Sequence, residues 1–232
     1  MKITANLAQI HNEISVAEKQ FQRDEGSVCL LAVSKTRTTD EIITAINANQ
    51  RHFGENYCQE AIEKIEAINR SDIIWHFIGP IQSNKTKQIA SHFDWAHTVE
   101  RIKIARRLDE MRPENSPLLN ICVQINISGE ESKSGIPIDD AADFINELDQ
   151  FKRLKVRGLM SLPAPTSDFT EQRHAFSQLK KKLHDLNQHR LNQNRPELDT
   201  LSIGTTQDMQ AAIAEGATIV RIGTAIFGPR HT

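Results

Sequence analysis

Short apolar runs alternate with amphipathic helical segments along the chain, and this alternation restricts the fold more than any other feature. Residues 29–33 read Cys-Leu-Leu-Ala-Val, an unbroken apolar run typical of a strand buried on both faces. Thr38 and Glu41 then form a capping-box pattern, so a helix is predicted to start there and to continue to about Asn49. Because this order of strand and helix recurs, the sequence indicates parallel βαβ units.

Apolar runs predict the strands, and apolar residues spaced three and four apart predict the helices. An additional helix over residues 2–22 precedes the first strand. The eight predicted strands are residues 29–33, 52–54, 73–78, 95–98, 118–127, 155–160, 198–203 and 217–222. The helices between them are predicted at about residues 38–49, 56–68, 83–91, 101–111, 139–151, 170–189 and 207–215.

Eight strand–helix units favour an α/β fold of one closed (β/α)8 TIM-type barrel with an extra N-terminal helix. The chain has 232 residues, which suits one barrel of about 250 residues and leaves little for a second catalytic domain. We therefore expect one domain over residues 1–232. An open doubly wound sheet is the alternative arrangement of the same units.

Composition excludes several classes of function. The 28 basic and 30 acidic side chains give a net charge of −2, which does not favour nucleic acid as the main partner. The three cysteines, at positions 29, 58 and 122, are too widely spaced for a disulfide framework or a CxxC metal site.

Residues 1–23 lack a secretory pattern, and no apolar stretch approaches the length of a membrane span. The expectation is a cytoplasmic protein.

Two glycine-containing loops follow the last two predicted strands. In a TIM-type barrel the active site lies at the carboxyl ends of the strands, and a phosphate group commonly sits between these two loops. Residues 202–207 (Ser-Ile-Gly-Thr-Thr-Gln) and 221–224 (Arg-Ile-Gly-Thr) each offer a glycine, a hydroxyl donor and a helix start. The simpler interpretation is that the glycines form turns and the threonines cap helices. The presence of two such loops after adjacent strands favours a phosphate site.

Lys35 ends the first predicted strand, where its amine would face the mouth of the barrel and lose hydration. Such a lysine is suited to Schiff-base chemistry, although pairing with a carboxylate such as Glu55 is the ordinary alternative. His76, inside an apolar strand, is interpreted as a core histidine. Residues 133–135 are interpreted as a loop, with a second anion contact as the alternative. No HExxH pattern and no nucleophile elbow occurs, so no metal and no serine hydrolase are predicted.

Several longer segments of the chain form recognisable motifs. They are LAVSKT (31–36), FGENY (53–57), WHFIGPIQSNK (75–85), SKSG (132–135), RGLM (157–160) and VRIGTAIFG (220–228). Together these segments resemble the YggS/PROSC family of pyridoxal phosphate homeostasis proteins, and the resemblance extends from residue 31 to residue 228.

The resemblance implies a fold-type III barrel, like the N-terminal domain of alanine racemase, that binds pyridoxal 5′-phosphate. It implies an internal aldimine on Lys35, with Asn56 lining the cofactor and Arg221 facing the pyridine nitrogen. The residues that would hold the phosphate are Ser202, Gly204, Thr206, Gly223 and Thr224. One departure is that Thr205 and Thr206 replace the usual methionine and serine; Thr206 retains a hydroxyl, whereas Thr205 replaces an apolar side chain.

A cofactor carrier is favoured over an enzyme. Arginine cannot readily give up a proton, so Arg221 would disfavour the protonated ring that acts as a strong electron sink. Alanine racemase takes a tyrosine base from a second domain, whereas this chain has one tyrosine, Tyr57, and no residues for such a domain. The expectation is a monomer that stores pyridoxal phosphate or delivers it to apo-enzymes. A racemase-like enzyme and a Schiff-base aldolase remain alternatives.

Overall fold

The computed structural model describes residues 2–130 and 133–229. Its strands are β1 (Cys29–Val33), β2 (His52–Glu55), β3 (Ile74–Phe77), β4 (Trp95–Val99), β5 (Leu119–Asn126), β6 (Ile136–Pro137), β7 (Leu154–Met160), β8 (Thr200–Ser202) and β9 (Ile219–Ile222). Its helices are α1 (Lys2–Gln20), α2 (Thr39–Asn47), α3 (Cys58–Ile68), α4 (Thr86–His92), α5 (Ile102–Met111), α6 (Ala141–Leu148), α7 (Phe169–Asn192), α8 (Met209–Ala214) and α9 (Thr224–Phe227). A 3₁₀ turn, Ser83–Lys85, leads into α4.

Eight of the strands in the described residues close into a parallel barrel. The strand order is β1, β2, β3, β4, β5, β7, β8 and β9, and β9 pairs with β1 to complete the circle. The pairing of β4 with β5, through Trp95 opposite Asn120 and Ala96 opposite Ile121, joins the two halves of the sheet. The predicted barrel is therefore confirmed, and the open doubly wound sheet is wrong.

Local sequence signals place the helices outside the barrel. Thr38 and Glu41 form the predicted capping box at the start of α2. Asp168 caps α7 by accepting hydrogen bonds from the N–H groups of Thr170 and Glu171. The predicted N-terminal helix is α1, which ends at Gln20 and packs against α2, α8 and α9.

Side chains on the strands alternate between two apolar clusters. One cluster fills the space between the strands and the helices, and includes Phe53, Trp75 and Phe77. The other lies inside the barrel and consists of Leu31, Ile78, Trp95, Cys122, Met160 and Ile219. Buried polar residues share this interior, because His76, His97, Ser202 and Arg221 alternate on their strands with residues that face outward.

The two-residue strand β6, which pairs with the end of β5, was not predicted from the sequence. The four-residue helix α9 begins at Thr224, where the second glycine loop had predicted a helix start. Neither element is long enough to show a periodic apolar pattern. Within the described part of the chain, no helix combines the length and apolar character required to cross a membrane.

Candidate functional site

A cavity of about 480 Å³ lies at the carboxyl ends of the barrel strands. Its volume is in the range of small-molecule and cofactor sites. Six of the eight predicted site residues line it: Lys35, Asn56, Thr206, Arg221, Gly223 and Thr224. Val33, Ile78, Met160, Leu162, Thr205 and Gln207 complete the lining. The structure therefore brings the predicted lysine, guanidinium and glycine loops around one space.

The two remaining predicted residues lie beneath the cavity. Ser202 is fully buried, and its hydroxyl is hydrogen-bonded to Arg221 and His97. Gly204 has a φ of +93°, and a Cβ there would lie 2.6 Å from the Cβ of Ala212. Gly204 thus shapes the loop, while Thr206, which is exposed, lines the cavity.

The segment that carries Lys35 is held on both sides by hydrogen bonds. Before it, the Ser34 hydroxyl donates to Glu55 Oε1 at 2.6 Å. After it, the N–H of Thr36 donates to Glu60 Oε1 at 2.6 Å. Thr36 has a φ of +61°, a left-handed conformation that a threonine rarely adopts. Lys35 is thereby fixed in place at the end of β1.

A buried ion pair stabilises this arrangement. Lys64 on α3 donates to Glu55 Oε1 at 2.9 Å, to Glu60 Oε1 at 2.5 Å and to the carbonyl of Ser34 at 2.8 Å. Burial raises the pKa of Glu55, while Lys64 and Ser34 oppose that rise. Glu55 was considered from the sequence as an ordinary partner of Lys35, whereas its ion pair with Lys64 was not predicted. The sequence signal for Lys64 is its spacing of four residues from Glu60.

Asn56 offers the cavity an unused hydrogen-bond acceptor. Its Oδ1 is buried and, among the described residues, has no hydrogen-bond partner. A buried polar atom without a partner costs free energy, so a ligand that donates to it would be stabilised there. Asn56 follows β2 directly and lines the same space as Lys35.

The two glycine loops approach the cavity with backbone and hydroxyl groups. Gly223 is the N-cap residue of α9, and a Cβ at this position would lie 3.3 Å from the carbonyl oxygen of Val33. Thr206 and Thr224 are both exposed at the mouth of the cavity. Thr205, the departure from the family pattern, donates its hydroxyl to Asp208 Oδ1 at 2.8 Å. Its polar group is therefore satisfied within the loop.

Arg221 places a buried cation at the base of the cavity. NH2 donates to the carbonyl of Ser161 at 2.9 Å, and NH1 donates to the Ser202 hydroxyl at 2.8 Å and to the Ser202 carbonyl. Burial lowers the pKa of Arg221 to about 10. The guanidinium thus remains charged at neutral pH.

Three histidines continue from this arginine across the barrel interior. His97 Nδ1 lies 2.8 Å from the Ser202 hydroxyl, and His97 Nε2 lies 2.9 Å from His76 Nδ1. His76 Nε2 lies 3.0 Å from His52 Nδ1, at the start of β2. His76 is fully buried and hydrogen-bonded through both ring nitrogens, as expected of a core histidine. The series of hydrogen-bonded histidines that includes it was not predicted from the sequence.

The SKSG segment contributes no residue to the lining described above. Ser132 lies outside the described residues. Lys133 forms an ion pair with Glu130 at 2.8 Å, and the N–H of Gly135 donates to Glu100 Oε2 at 2.6 Å. In residues 2–130 and 133–229, no group of three or more histidine, cysteine or acidic residues could hold a metal ion.

Comparison with known proteins identifies the family. Residues 5–231 match the family model described as "Alanine racemase, N-terminal domain", so the chain belongs to that family. Over 234 residues it is 50% identical to a protein of Pasteurella multocida named pyridoxal phosphate homeostasis protein, with 99% and 98% of the two chains covered. A protein of the same name from Escherichia coli K12 is 46% identical over 231 residues, covering 98% and 97%. The resemblance inferred from the sequence is thereby confirmed: the chain belongs with the proteins of this name.

Solved structures agree with this assignment. The PipY protein of Synechococcus elongatus, solved with pyridoxal phosphate bound, is 34% identical, with a TM-score of 0.81 and coverage of 97% of this chain and 100% of PipY. Alanine racemase of Clostridium difficile is 14% identical, with a TM-score of 0.69 and coverage of 100% and 57%. This second likeness concerns the fold alone.

The buried histidines predict a specific dependence of stability on pH. Burial, and secondly the Arg221 cation, lower the pKa of His97 to about 3. Burial, followed by His97 and His52, lowers the pKa of His76 well below its usual value. An unfolded histidine titrates near pH 6.5, so below that pH the unfolded chain binds protons that the folded chain excludes. The free energy of unfolding should therefore fall as pH decreases from 7 to 5.

Urea unfolding of His97→Asn at pH 7, 6 and 5 tests this expectation. The variant has one histidine fewer that takes up a proton only on unfolding. Its free energy of unfolding should therefore change less steeply with pH than that of the parent chain, by up to about 1.4 kcal/mol per pH unit. His184→Asn on the exposed side of α7 controls for the loss of an imidazole. An unchanged slope in His97→Asn would contradict a neutral, buried His97.

Proposed function

We propose that this chain binds pyridoxal 5′-phosphate and serves in the homeostasis of that cofactor, without a dedicated catalytic reaction. The observation that carries the proposal is the cavity itself, which places one lysine and one buried guanidinium among hydroxyl and glycine groups. The related PipY protein has been solved with pyridoxal phosphate bound, and the curated relatives are named for its homeostasis.

The residues present fit the chemistry of this cofactor. Bound pyridoxal phosphate supplies an aldehyde that condenses with a primary amine, and Lys35 is the amine at the cavity. Arg221 would meet the pyridine nitrogen with an N–H donor, and Asn56 Oδ1 would accept a hydrogen bond from the ligand. Gly223 would let the backbone approach the phosphate, with Thr206 and Thr224 as hydroxyl donors.

Ser202 and Gly204 would support the cofactor site indirectly, by positioning residues that line the cavity. Ser202 holds Arg221 through both its carbonyl and its hydroxyl. Gly204 permits the left-handed turn that carries Thr205 and Thr206 to the rim of the cavity. Both residues therefore belong to the proposed site, although neither lines the cavity.

The ionisable groups of the cavity favour holding the cofactor over turning substrate over. Among the described lining residues, Lys35 and Arg221 are the only ionisable side chains. Racemisation requires proton transfer on both faces of the α-carbon, and Lys35 can act on only one. Arg221 is a donor without acceptor capacity, which disfavours a protonated ring nitrogen. Tyr57, the only tyrosine in the sequence, is 54% exposed.

A racemase-like activity is the second candidate, because the fold resembles that of alanine racemase. In the homeostasis proposal, by contrast, residues 1–232 form one cofactor-binding unit that acts as a monomer. Its partners are pyridoxal phosphate and the apo-enzymes that receive it. Lys35, fixed by its neighbours yet accessible from the cavity, supports such exchange.

Replacement of Lys35 tests the attachment point. Lys35→Ala should retain the far-UV circular dichroism of the parent chain, because the residue ends a strand and is only half-buried. After incubation with pyridoxal phosphate and borohydride, peptide mass mapping should find the pyridoxyl group on Lys35 of the parent protein. In the variant, no other residue should be labelled with the pyridoxyl group to the same extent. Lys181→Ala, with a 77% exposed side chain, is the matched control. Adduct formation unaffected by Lys35→Ala would refute the attachment.

Loss of single hydroxyl groups tests the phosphate position. Thr206→Val and Thr224→Val preserve side-chain shape but remove a donor. A hydrogen bond to a charged group contributes about 1.5–3 kcal/mol, so each variant should bind pyridoxal phosphate at least about tenfold more weakly. Pyridoxal, which lacks the phosphate, is the control ligand, and its affinity should change little. Equal losses for both ligands would argue against phosphate contacts at these threonines.

Deuterium exchange separates the homeostasis proposal from the racemase-like alternative. The protein loaded with pyridoxal phosphate should exchange the α-proton of added amino acids in D2O no faster than the free cofactor does. Exchange above that background, abolished by Lys35→Ala, would instead establish the enzymatic alternative. Nuclear magnetic resonance of the amino acid measures both rates directly.

A further inference from the structure

The hydrogen bonds between Arg221 and His97 can run in one direction only. A guanidinium has donors and no acceptor, so the Ser202 oxygen accepts the hydrogen bond from Arg221 NH1. The single hydroxyl hydrogen of Ser202 must then be donated elsewhere. Among the described residues, the other hydrogen-bond partner of this oxygen is His97 Nδ1, at 2.8 Å. His97 Nδ1 is therefore an acceptor.

This direction propagates through the two inner histidines. A neutral imidazole that accepts at Nδ1 carries its hydrogen on Nε2, so His97 Nε2 donates to His76 Nδ1 at 2.9 Å. His76 is placed in the same tautomer, and its Nε2 donates to His52 Nδ1 at 3.0 Å. The arginine at the cavity thus determines the tautomers of histidines on β3 and β4.

The reverse direction conflicts with the burial of these groups. If His97 Nδ1 carried a hydrogen, Ser202 would accept from both sides and its own hydrogen would lack an acceptor at a site with no solvent exposure. A cationic His97 would place a second positive charge two hydrogen bonds from Arg221. The Trp95 ring stacks on the His76 imidazole, with ring centroids 5.3 Å apart and an interplanar angle of 15°, and this contact holds the imidazole in its orientation.

We propose that His97, acting through Ser202, is a positioning residue for Arg221. By accepting the hydroxyl hydrogen, His97 keeps a lone pair of the Ser202 oxygen directed at the guanidinium. The Ser161 carbonyl holds the other terminal nitrogen at 2.9 Å, so the two contacts together fix the plane of the guanidinium. The proposal rests on the proposed function where it concerns the ring nitrogen of bound pyridoxal phosphate, but its hydrogen-bond direction does not.

Nuclear magnetic resonance of the protein without cofactor tests the direction. With 15N-labelled histidine, His76 and His97 should both be neutral Nε2–H tautomers at pH 7. An Nδ1–H tautomer or a cationic ring at His97 would overturn the proposal. In Ser202→Ala the hydroxyl that fixes the direction is absent, so the His97 signals should move toward a mixture of tautomers. A pure Nε2–H tautomer in that variant would show that Ser202 does not set the direction.

A matched pair of variants tests the positioning role. The amide of His97→Asn can occupy the place of Nδ1 and accept from Ser202, whereas the longer amide of His97→Gln occupies the place of Nε2. His97→Asn should therefore keep the absorption spectrum of bound pyridoxal phosphate and its pH profile, while His97→Gln should change both. Identical behaviour of the two variants would overturn the role.

The two proposals fail separately in these experiments. If borohydride finds no adduct on Lys35 in the parent protein, the proposed function fails, and the tautomer measurement still decides the hydrogen-bond direction. If the adduct forms but the tautomers are reversed, the proposed function stands and the positioning role falls. Should either His97 variant fail to fold, the tautomers of the parent chain and of Ser202→Ala decide the question.

Discussion

A guanidinium cation buried inside a barrel imposes conditions on every strand around it. Arg221 is 5% exposed, so its N–H groups must find acceptors within the protein. The interior of a TIM-type barrel is usually filled by branched apolar side chains. Here the acceptors are the carbonyls of Ser161 and Ser202 and the hydroxyl of Ser202, which is in turn hydrogen-bonded to His97. Ser202 and His97 thus bring polar groups into the barrel interior beside a buried charge.

A second constraint acts on the segment that carries Lys35. Lys64 is buried with Glu55, and a buried pair of charges is tolerated when further hydrogen bonds satisfy both partners. Ser34 supplies two of these contacts, and Thr36 binds the neighbouring Glu60. Arg221 and Lys35 are therefore positioned by separate networks, anchored to different strands. A site supported in this way keeps its geometry without relying on the loops at its rim.

The alternation of elements and the barrel could be predicted from the sequence, because they depend on local pattern and on the order of strands. Lys35 and the two glycine loops follow from their places after predicted strands, whereas Asn56 and Arg221 were predicted from the resemblance to a known family. The short strand β6 could not be predicted, since it forms by pairing with the end of β5. Ser202, which the family resemblance implies as a phosphate contact, is hydrogen-bonded through its hydroxyl to Arg221 and His97 inside the barrel. These two contacts could not be predicted from the sequence.

Contacts across the barrel interior are the features that a single sequence predicts least well. His97 and Ser202 are 105 residues apart, and their contact depends on the stagger of eight strands around the barrel. No local pattern encodes that stagger. The same holds for Lys64 and Ser34, whose contact depends on how α3 packs over the end of β1.

A site for pyridoxal phosphate needs well-positioned groups at its base and an accessible attachment atom, and the distribution of burial follows this division. Below the cavity, Ser202 and His97 have no exposure and Arg221 has almost none. At the rim, Thr206 and Thr224 are exposed, and Leu162 is 49% exposed. Groups at the base cannot rearrange without breaking buried hydrogen bonds, whereas groups at the rim can exchange a ligand for water. Specificity can therefore reside in the base while release is governed at the rim.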